Sequence, residues 1–350
     1  MAYLVKGAPF KYNGAVNVED CTTAAEVIEK AQLNWTVDKC ELVAKIPLLN
    51  SVRKDEATKG FIHSSDLYVE CPNAYGVYRT DYNIPLGVVK ERYTPVQNID
   101  AFKFFDDAIG KDSAIWQTAG YFGNGERIFV SAKLPDYIVV NGDAVENYLV
   151  FTTSHDGSTG VKILLTPIRI ICQNTLNAAI RNADSYVSFR HTSSVHENIM
   201  YAKEILGICN KNIQFLNTQF NIMNKIKVSD NQAADYFTRL ILNDSEYQAL
   251  GNTGHNPMQV IYKDYDTMCD ANISTKKVNV ISSMYDYYHM GVGQKEILGT
   301  GWGLYNAVSG YYSNVDNVTG TKRMDSLLYG DKSRKISLAG NLVLNIAKVG

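Results

Sequence analysis

Between Val195 and Met223, apolar side chains recur at alternating intervals of four and three residues: Val195, Ile199, Ala202, Leu206, Cys209, Ile213, Leu216, Phe220 and Met223. A strand cannot use that period, because its side chains alternate every second residue, whereas a helix brings positions three and four apart onto one face. The spacing predicts one very long helix over about 194–227, and at 1.5 Å per residue a helix of about 30 residues is on the order of 45 Å long. Ser194-Val-His-Glu197 reads as a capping box at its start. A second stripe, Ile205, Ile208, Phe215, Ile222 and Ile226, implies that its C-terminal half is covered on two sides. Such a seam belongs either to a core helix crossing a sheet or to a coiled-coil contact between copies.

The chain before this helix alternates and turns instead. Thr23-Ala-Ala-Glu26 is a capping-box pattern opening a short helix through Ala31, followed by an expected strand over Glu41–Pro47. Residues 61–95 read as a β-hairpin whose loop is Thr80-Asp-Tyr-Asn-Ile-Pro85. Asp100–Gly110 places Phe102, Phe105 and Ile109 on one helical face, with Gly110 as the stop. Two strand-turn-strand units follow, turning at Gly123-Asn-Gly125 and Asp156-Gly157-Ser158. The second ends in Cys172-Gln173-Asn174-Thr175 and leads to a short helix over Leu176–Ile180.

Successive hairpins with one intervening helix argue against a parallel βαβ sheet. The expected fold class is α+β, an antiparallel, hairpin-rich curved sheet packed by a very long helix, with a helical C-terminal part. Ser229-Asp230-Asn231 would cap a further helix through Leu242. Residues 243–272 read as loop-rich, and helical patterns resume at Lys276–His289 and Trp302–Val315. The expected division is an α+β sheet domain over 1–192, a helical part over 193–320 and a basic C-terminal tail over 321–350. That tail, with six Lys/Arg against two Asp between Lys322 and Lys348, reads as the most flexible segment.

Composition excludes several classes. At 350 residues with 20% charged and 45% hydrophobic side chains, the chain can bury a large core and is not of disordered type. No apolar run reaches the ~18 residues of a membrane span, and the N-terminus lacks a leader-like apolar region. Six cysteines scattered without a CxxC pair read as reduced thiols, so a cytoplasmic setting is expected. Residues 1–160 carry 15 Lys/Arg against 21 Asp/Glu, and residues 161–350 carry 19 against 15. This imbalance is well short of the basic field of a strong duplex binder. The 23 tyrosines suit partly wet surfaces, since each joins a flat apolar ring to a polar tip.

Few motifs declare chemistry. MGVGQKEILGTGWG lacks the spacing of a phosphate-cradling loop. His155-Asp156 and the His191/His196 pair offer acid-base and ligand groups, but no metal-binding spacing is completed around them, so neither a metal nor a cofactor is expected and no catalytic residue is assigned. Donors concentrate instead at the entry to the long helix, where residues 161–196 hold four Lys/Arg against one acid. Lys162, Arg169, Asn174, Arg181, Arg190 and His191 are the candidate nucleic-acid-binding set, because such groups grip phosphate oxygens. The competing account has Arg and Asn tying loops together through backbone carbonyls. Tyr285, Tyr287, Tyr288, Trp302, Tyr305, Tyr311 and Tyr312 form an aromatic set on two helices, read either as core or as base-stacking faces.

The stretches AEVIEKAQLNWTV, YRTDYNIPLGVVKERYTPVQNIDAF, AGYFGNGERIFVSAKLP, YLVFTTSHDGSTG, TPIRIICQNTLNAAI, FRHT and GTGWGLYNAVSGYY together resemble the phage/plasmid-like protein family, domain of unknown function 932, from about Thr22 to Val315. Ser309-Gly310-Tyr311 and Asn314 depart from its pattern. The resemblance implies a phage or mobile-element origin and a cytoplasmic setting, without an activity to inherit. Its motif positions here are Arg79, Asp81, Asp156, Gly157, Arg169, Cys172, Asn174, Thr175, Arg190, His191, Thr192, Trp302 and Asn306. The leading expectation is a non-enzymatic homo-oligomer that binds or anneals single-stranded DNA in phage recombination. The alternatives are a protein-binding phage factor, such as an inhibitor of a host defence complex, and a metal-dependent hydrolase or nuclease using Asp156, His155 and His191.

Overall fold

In the computed structural model, the described residues are 15–47, 60–63, 66–111, 114–169, 174–175, 186–316, 326–327 and 330–349. They form a mixed α+β fold with two antiparallel sheets. The larger sheet is a meander of β6 (Ile115–Phe122), β7 (Arg127–Val140), β8 (Asp143–Ser154) and β9 (Val161–Arg169), with β1 (Ala15–Asn17) on β6. Both β10 (Asn174–Thr175) and β11 (Tyr186–Phe189) pair with the free side of β9. The smaller sheet has the order β2 (Val37–Pro47), β4 (Asp66–Arg79), β3 (Gly60–His63), and β5 (Ile84–Val89) also pairs with β4.

The hairpin turns are those the glycines and asparagines require. Gly123 and Gly125 have φ of 60° and 118°, and Gly157 has 74°, values that strain any residue with a Cβ. Strand β8 is buried on both faces over its last eight residues. Its alternate side chains divide between the main core, which takes Leu149 and Phe151, and a small cluster of Phe122, Phe129, Val150 and Leu164 on the opposite face. Helix α1 (Ala24–Lys30) opens on the expected capping box, Thr23 with Glu26. Helix α2 (Asn98–Ile109) buries Phe102, Phe104 and Phe105, the last packed edge-on against Trp116 of β6.

The single helix over 194–227 is not present. Helix α3 (Val195–Met200) ends at Tyr201, whose ψ of 30° interrupts the helical ladder, and α4 (Ala202–Lys225) starts anew. Ser194 makes no side-chain cap, so the second capping box is also absent. A heptad pattern dictates which face is buried but not that the backbone hydrogen bonds run unbroken. The seam itself faces the chain's own core: Val195, Ile199, Ile213, Leu216, Phe220 and Met223 are buried. Phe220 lies 4.8 Å from the ring of Trp302, and Asn221 Nδ2 donates to the Val139 carbonyl of β7 at 3.0 Å. The second stripe is only partly covered, with Ile208 and Ile222 exposed.

Ser229 caps α5 (Asp230–Ile241) as expected. The stretch read as loop contains α6 (Asp244–Asn252), α7 (Pro257–Ile261) and α8 (Tyr265–Asp270), each too short for periodicity to announce but two of them opened by capping boxes at Asn243 and Asn256. Helix α9 (Thr275–Met290) and α10 (Gly301–Gly310) follow, the latter running into a π-helical turn at Tyr311–Val315. The segment expected to be a flexible tail carries α11 (Asp331–Val349). Its Ile336, Ala339, Val343 and Leu344 are buried, and Tyr236 of α5 donates its hydroxyl to the Ala339 carbonyl at 3.0 Å. Its charges had masked an apolar face at helical spacing. The expected short helix at Leu176–Ile180 lies outside the described residues.

Candidate functional site

Arg79 ends β4, paired with Val37 of β2 and Ile84 of β5, so its side chain leaves the small sheet where the large one begins. The guanidinium donates from Nε and Nη2 to both carboxylate oxygens of Asp81, at 3.1 and 2.7 Å, and from Nη1 to the Asn124 carbonyl at 2.7 Å. It lies 4.3 Å above the Trp35 ring and 5.4 Å from that of Tyr121. Burial alone would ease the proton off Arg79, but Asp81 outweighs it and holds the group above its usual value. The same pairing lowers the Asp81 carboxyl.

The floor is built from far-apart segments. Trp35 donates its indole N–H to the Gln32 carbonyl at 3.0 Å. The β6–β7 turn reaches it through Gly125, where a Cβ would come within 2.8 Å of the indole. Above this floor lies a cleft of about 440 Å³ lined by Gln32, Asn34, Trp35, Arg79, Tyr82 and Asn124, among others. Tyr82 follows Asp81 in the hairpin loop and is 74% exposed.

Behind Trp35 sits His155, fully buried, its ring edge-on at 5.4 Å. Asn98 donates to the Leu33 and Trp35 carbonyls, each at 3.1 Å, which leaves its Oδ1 to accept from His155 Nε2 at 3.0 Å. The tautomer is thereby fixed with Nδ1 bare, and that atom has no partner among the described residues. Burial, with the neighbouring His191 adding to it, pushes the His155 imidazole down to about 3. His191 is stacked on Tyr93 at 4.7 Å, with Nδ1 against the Thr94 carbonyl and Nε2 against the Thr153 hydroxyl, each at 3.2 Å. Burial lowers it too. Both rings are thus neutral packing groups, His191 engaged at both nitrogens and His155 at Nε2 alone.

The backbone joins two segments beside His191. Thr94 N donates to the His191 carbonyl at 3.1 Å, which sets the Lys90–Thr94 turn against Arg190–Thr192. Lys90, Arg92 and Arg190 are exposed there. Lys39 reaches the same turn, donating to the Glu91 carbonyl at 3.0 Å. Glu91 and Asp156 are the acids nearby, the latter felt by both Tyr93 and His191.

Residues 85–338 match the family described as Domain of unknown function (DUF932), well over half of the chain. The chain belongs to this family. No curated protein and no solved structure matches it. The DUF932 match stops short of Arg79 and Asp81, which lie before its first residue.

Within the DUF932 region, several positions singled out by the resemblance are structural. Asp156 closes its own turn, accepting from Ser158 N at 2.8 Å. Its backbone leaves no room for a Cβ on Gly87, which would come within 2.6 Å. Gly157 supplies that turn's left-handed conformation. Trp302 is fully buried and donates its indole N–H to Asp143 Oδ2 at 2.9 Å, while Asn306 Nδ2 donates to the Trp302 carbonyl at 2.9 Å. Thr192 pairs its hydroxyl with that of Ser194 at 3.3 Å.

The expected nucleic-acid-binding set is brought together only in part. Lys162 on β9 is in register with Ser188, two residues before Arg190. Arg169 and Asn174 are paired to each other as backbone partners, at the other end of β9. Thr175 is in register with Ile168, and Arg181 and Cys172 lie outside the described residues. Of the aromatic set, Tyr287, Tyr288, Trp302, Tyr305, Tyr311 and Tyr312 are buried, so those rings are core and not stacking faces. Among the described residues no group of three or more His, Cys, Asp or Glu could hold a metal ion, and no helix is long and apolar enough to cross a membrane. Cys21, Cys40, Cys71 and Cys269 are free thiols.

Lys39, Lys90, Arg92, Trp35, Tyr82 and Tyr121 escaped the sequence reading. Their relation is set by tertiary contacts between α1, the β4–β5 hairpin and the β6–β7 turn. The one local signal was Arg79-Thr-Asp81, an ion pair at adjacent positions on one side of a strand end.

Proposed function

We propose that this protein binds single-stranded DNA as a phage or mobile-element factor, working as a homo-oligomer in strand annealing during recombination. The observation that carries the reading is the Thr94–His191 backbone bond, which holds Lys90, Arg92 and Arg190 on one rim with Lys39 beside them. Exposed cations held on paired backbone segments suit phosphate oxygens, and Glu91 and Asp156 keep the rim only moderately basic. Such a surface favours a single strand over the denser charge of a duplex. The phosphate-contacting group is therefore drawn around Arg190 and Lys162 from the original set, with Lys39, Lys90 and Arg92 added. Tyr287 and Tyr288 of α9 and Tyr305 of α10 are buried and offer no stacking face to a base.

The test is a fluorescence titration with a labelled oligonucleotide at several salt concentrations. Binding should weaken with salt, and removing Lys90, Arg92 and Arg190 together should lower the log–log slope by about 2, at roughly 0.7 per phosphate on a single strand. Absence of binding at micromolar protein and low salt would sink the proposal.

A second reading, a protein-binding phage factor acting on a host complex, draws on Tyr262, Tyr265 and Met290, which are 73%, 76% and 74% exposed. Exposed aromatic and methionine side chains are common at protein contacts. A host-lysate pull-down that loses its captured partner on Tyr262→Ala and Tyr265→Ala would favour it, and an unchanged capture would count against it.

A further inference from the structure

We infer that the cleft between the β4–β5 hairpin loop and the β6–β7 turn receives a single unstacked nucleobase, with Tyr82 as its stacking face. The inference rests on the single-strand reading above and names the part of the strand that the basic rim does not hold.

The chemistry of the cleft selects a flat neutral ring over a phosphate. Arg79 is the cation of the cleft, and both oxygens of Asp81 already occupy two of its donors while the Asn124 carbonyl takes a third. A phosphate would meet a neutralised guanidinium beside a carboxylate. A base would meet π-faces: the guanidinium already rests on Trp35, and Tyr82, 5.9 Å from that guanidinium, stands exposed at the mouth. Base-on-aromatic stacking tolerates every base, because each has a π-face. The cleft's volume of about 440 Å³ lies in the range of small-ligand pockets.

The rim carries groups for the edge of such a ring. Gln32, Asn34 and Asn124 border the cleft, and their side-chain amides make no hydrogen bond among the described residues. Each offers a donor and an acceptor, the pairing that base edges require. The floor is rigid: Trp35 is tied to Gln32, and Asn98 holds the Trp35 carbonyl. A base entering the cleft therefore orders Tyr82 and the rim amides while the floor stays as it is, which limits the entropic cost.

Placement also fits one strand touching both regions. Strand β5 starts at Ile84, paired with Arg79, and runs six residues to the turn that carries Lys90 and Arg92. At about 3.3 Å per residue the two regions are roughly 20 Å apart. A strand gripped by its phosphates at the rim would present a base to the cleft a few nucleotides away.

The experiment compares wild type with Tyr82→Ala, Tyr82→Phe and Arg92→Ala/Arg190→Ala, titrating a labelled single strand of about ten nucleotides across a salt series. The expected result is that Tyr82→Ala weakens binding about ten-fold with the salt slope unchanged, that Tyr82→Phe restores it, and that the double arginine variant lowers the slope instead. Wild-type affinity in Tyr82→Ala would overturn the cleft while leaving the single-strand reading intact. A lowered slope in Tyr82→Ala would also overturn it, because the loss would then be electrostatic. Wild type that binds no oligonucleotide would end the single-strand reading, and the cleft proposal with it. Tyr82 is exposed in a loop, so circular dichroism of its variants should match wild type.

Discussion

Gly125 shows how one residue can be fixed by what lies against it. Its φ of 118° is open to glycine, and a Cβ would stand 2.8 Å from Trp35 and 3.2 Å from Arg79. Gly125→Ala should cost about 1–3 kcal/mol in urea denaturation and should shift tryptophan fluorescence, because the indole must move. His155 sets a pH dependence. An unfolded histidine titrates near 6.5, whereas the folded imidazole stays neutral down to about 3. The unfolded chain therefore binds the extra proton between those values, so stability is fully present above pH 6.5 and is lost as pH falls toward 3. The full effect is on the order of 5 kcal/mol. His191, lowered in the same sense, acts in the same direction. His155→Gln should flatten the dependence of the urea midpoint between pH 7 and about 4.5. A slope equal to that of wild type would show that the ring is not desolvated as described.

At the scale of elements, the division of the heptad stretch at Tyr201 leaves α4 as the member that crosses the core. Phe220 is wholly buried and packs at a tilt against the rings of Trp302 and Tyr305. Phe220→Ala should destabilise by about 3–5 kcal/mol, whereas Ile222→Ala, at an exposed position of the same helix, should cost less than about 1 kcal/mol. Helix α11 makes a second case. Deleting residues 331–350 would uncover the α5 and α10 faces and leave the Tyr236 hydroxyl without the Ala339 carbonyl. The truncated protein should be cut rapidly by protease under conditions where the full chain persists, and equal resistance would refute the packing of α11. These elements differ in how readable they were. The buried face of α4 was plain, because its period is long enough to register. The break at Tyr201 was not, because the apolar spacing continues across it. The short helices α6 to α8 lack a period, and the face of α11 was hidden under its lysines and arginines.

At the scale of the whole molecule, one continuous apolar core runs from Val18 through the β6–β9 meander to Leu344 of α11. Sheet and helices share it through Phe220, Trp302 and the Asp143 contact, so denaturation monitored by fluorescence and by circular dichroism should give coincident transitions. The antiparallel hairpins and the general α+β character could be seen in the sequence, since turn glycines and strand alternation are local signals. The candidate cleft could not: Trp35, Arg79 and Tyr121 meet only after the two sheets have been placed side by side. Arg79 and Asp81 stood out as residues, but their environment is a tertiary product. The matched family region starts at residue 85, and this border runs straight through that environment. A polypeptide reduced to 85–338 would keep Tyr121, Asn124 and the Arg92–Arg190 rim, while the indole, the guanidinium and the exposed tyrosine would all be gone. The border therefore divides the cleft between two stretches of chain: Gln32, Trp35, Arg79 and Tyr82 come before it, and Tyr121 and Asn124 come after it.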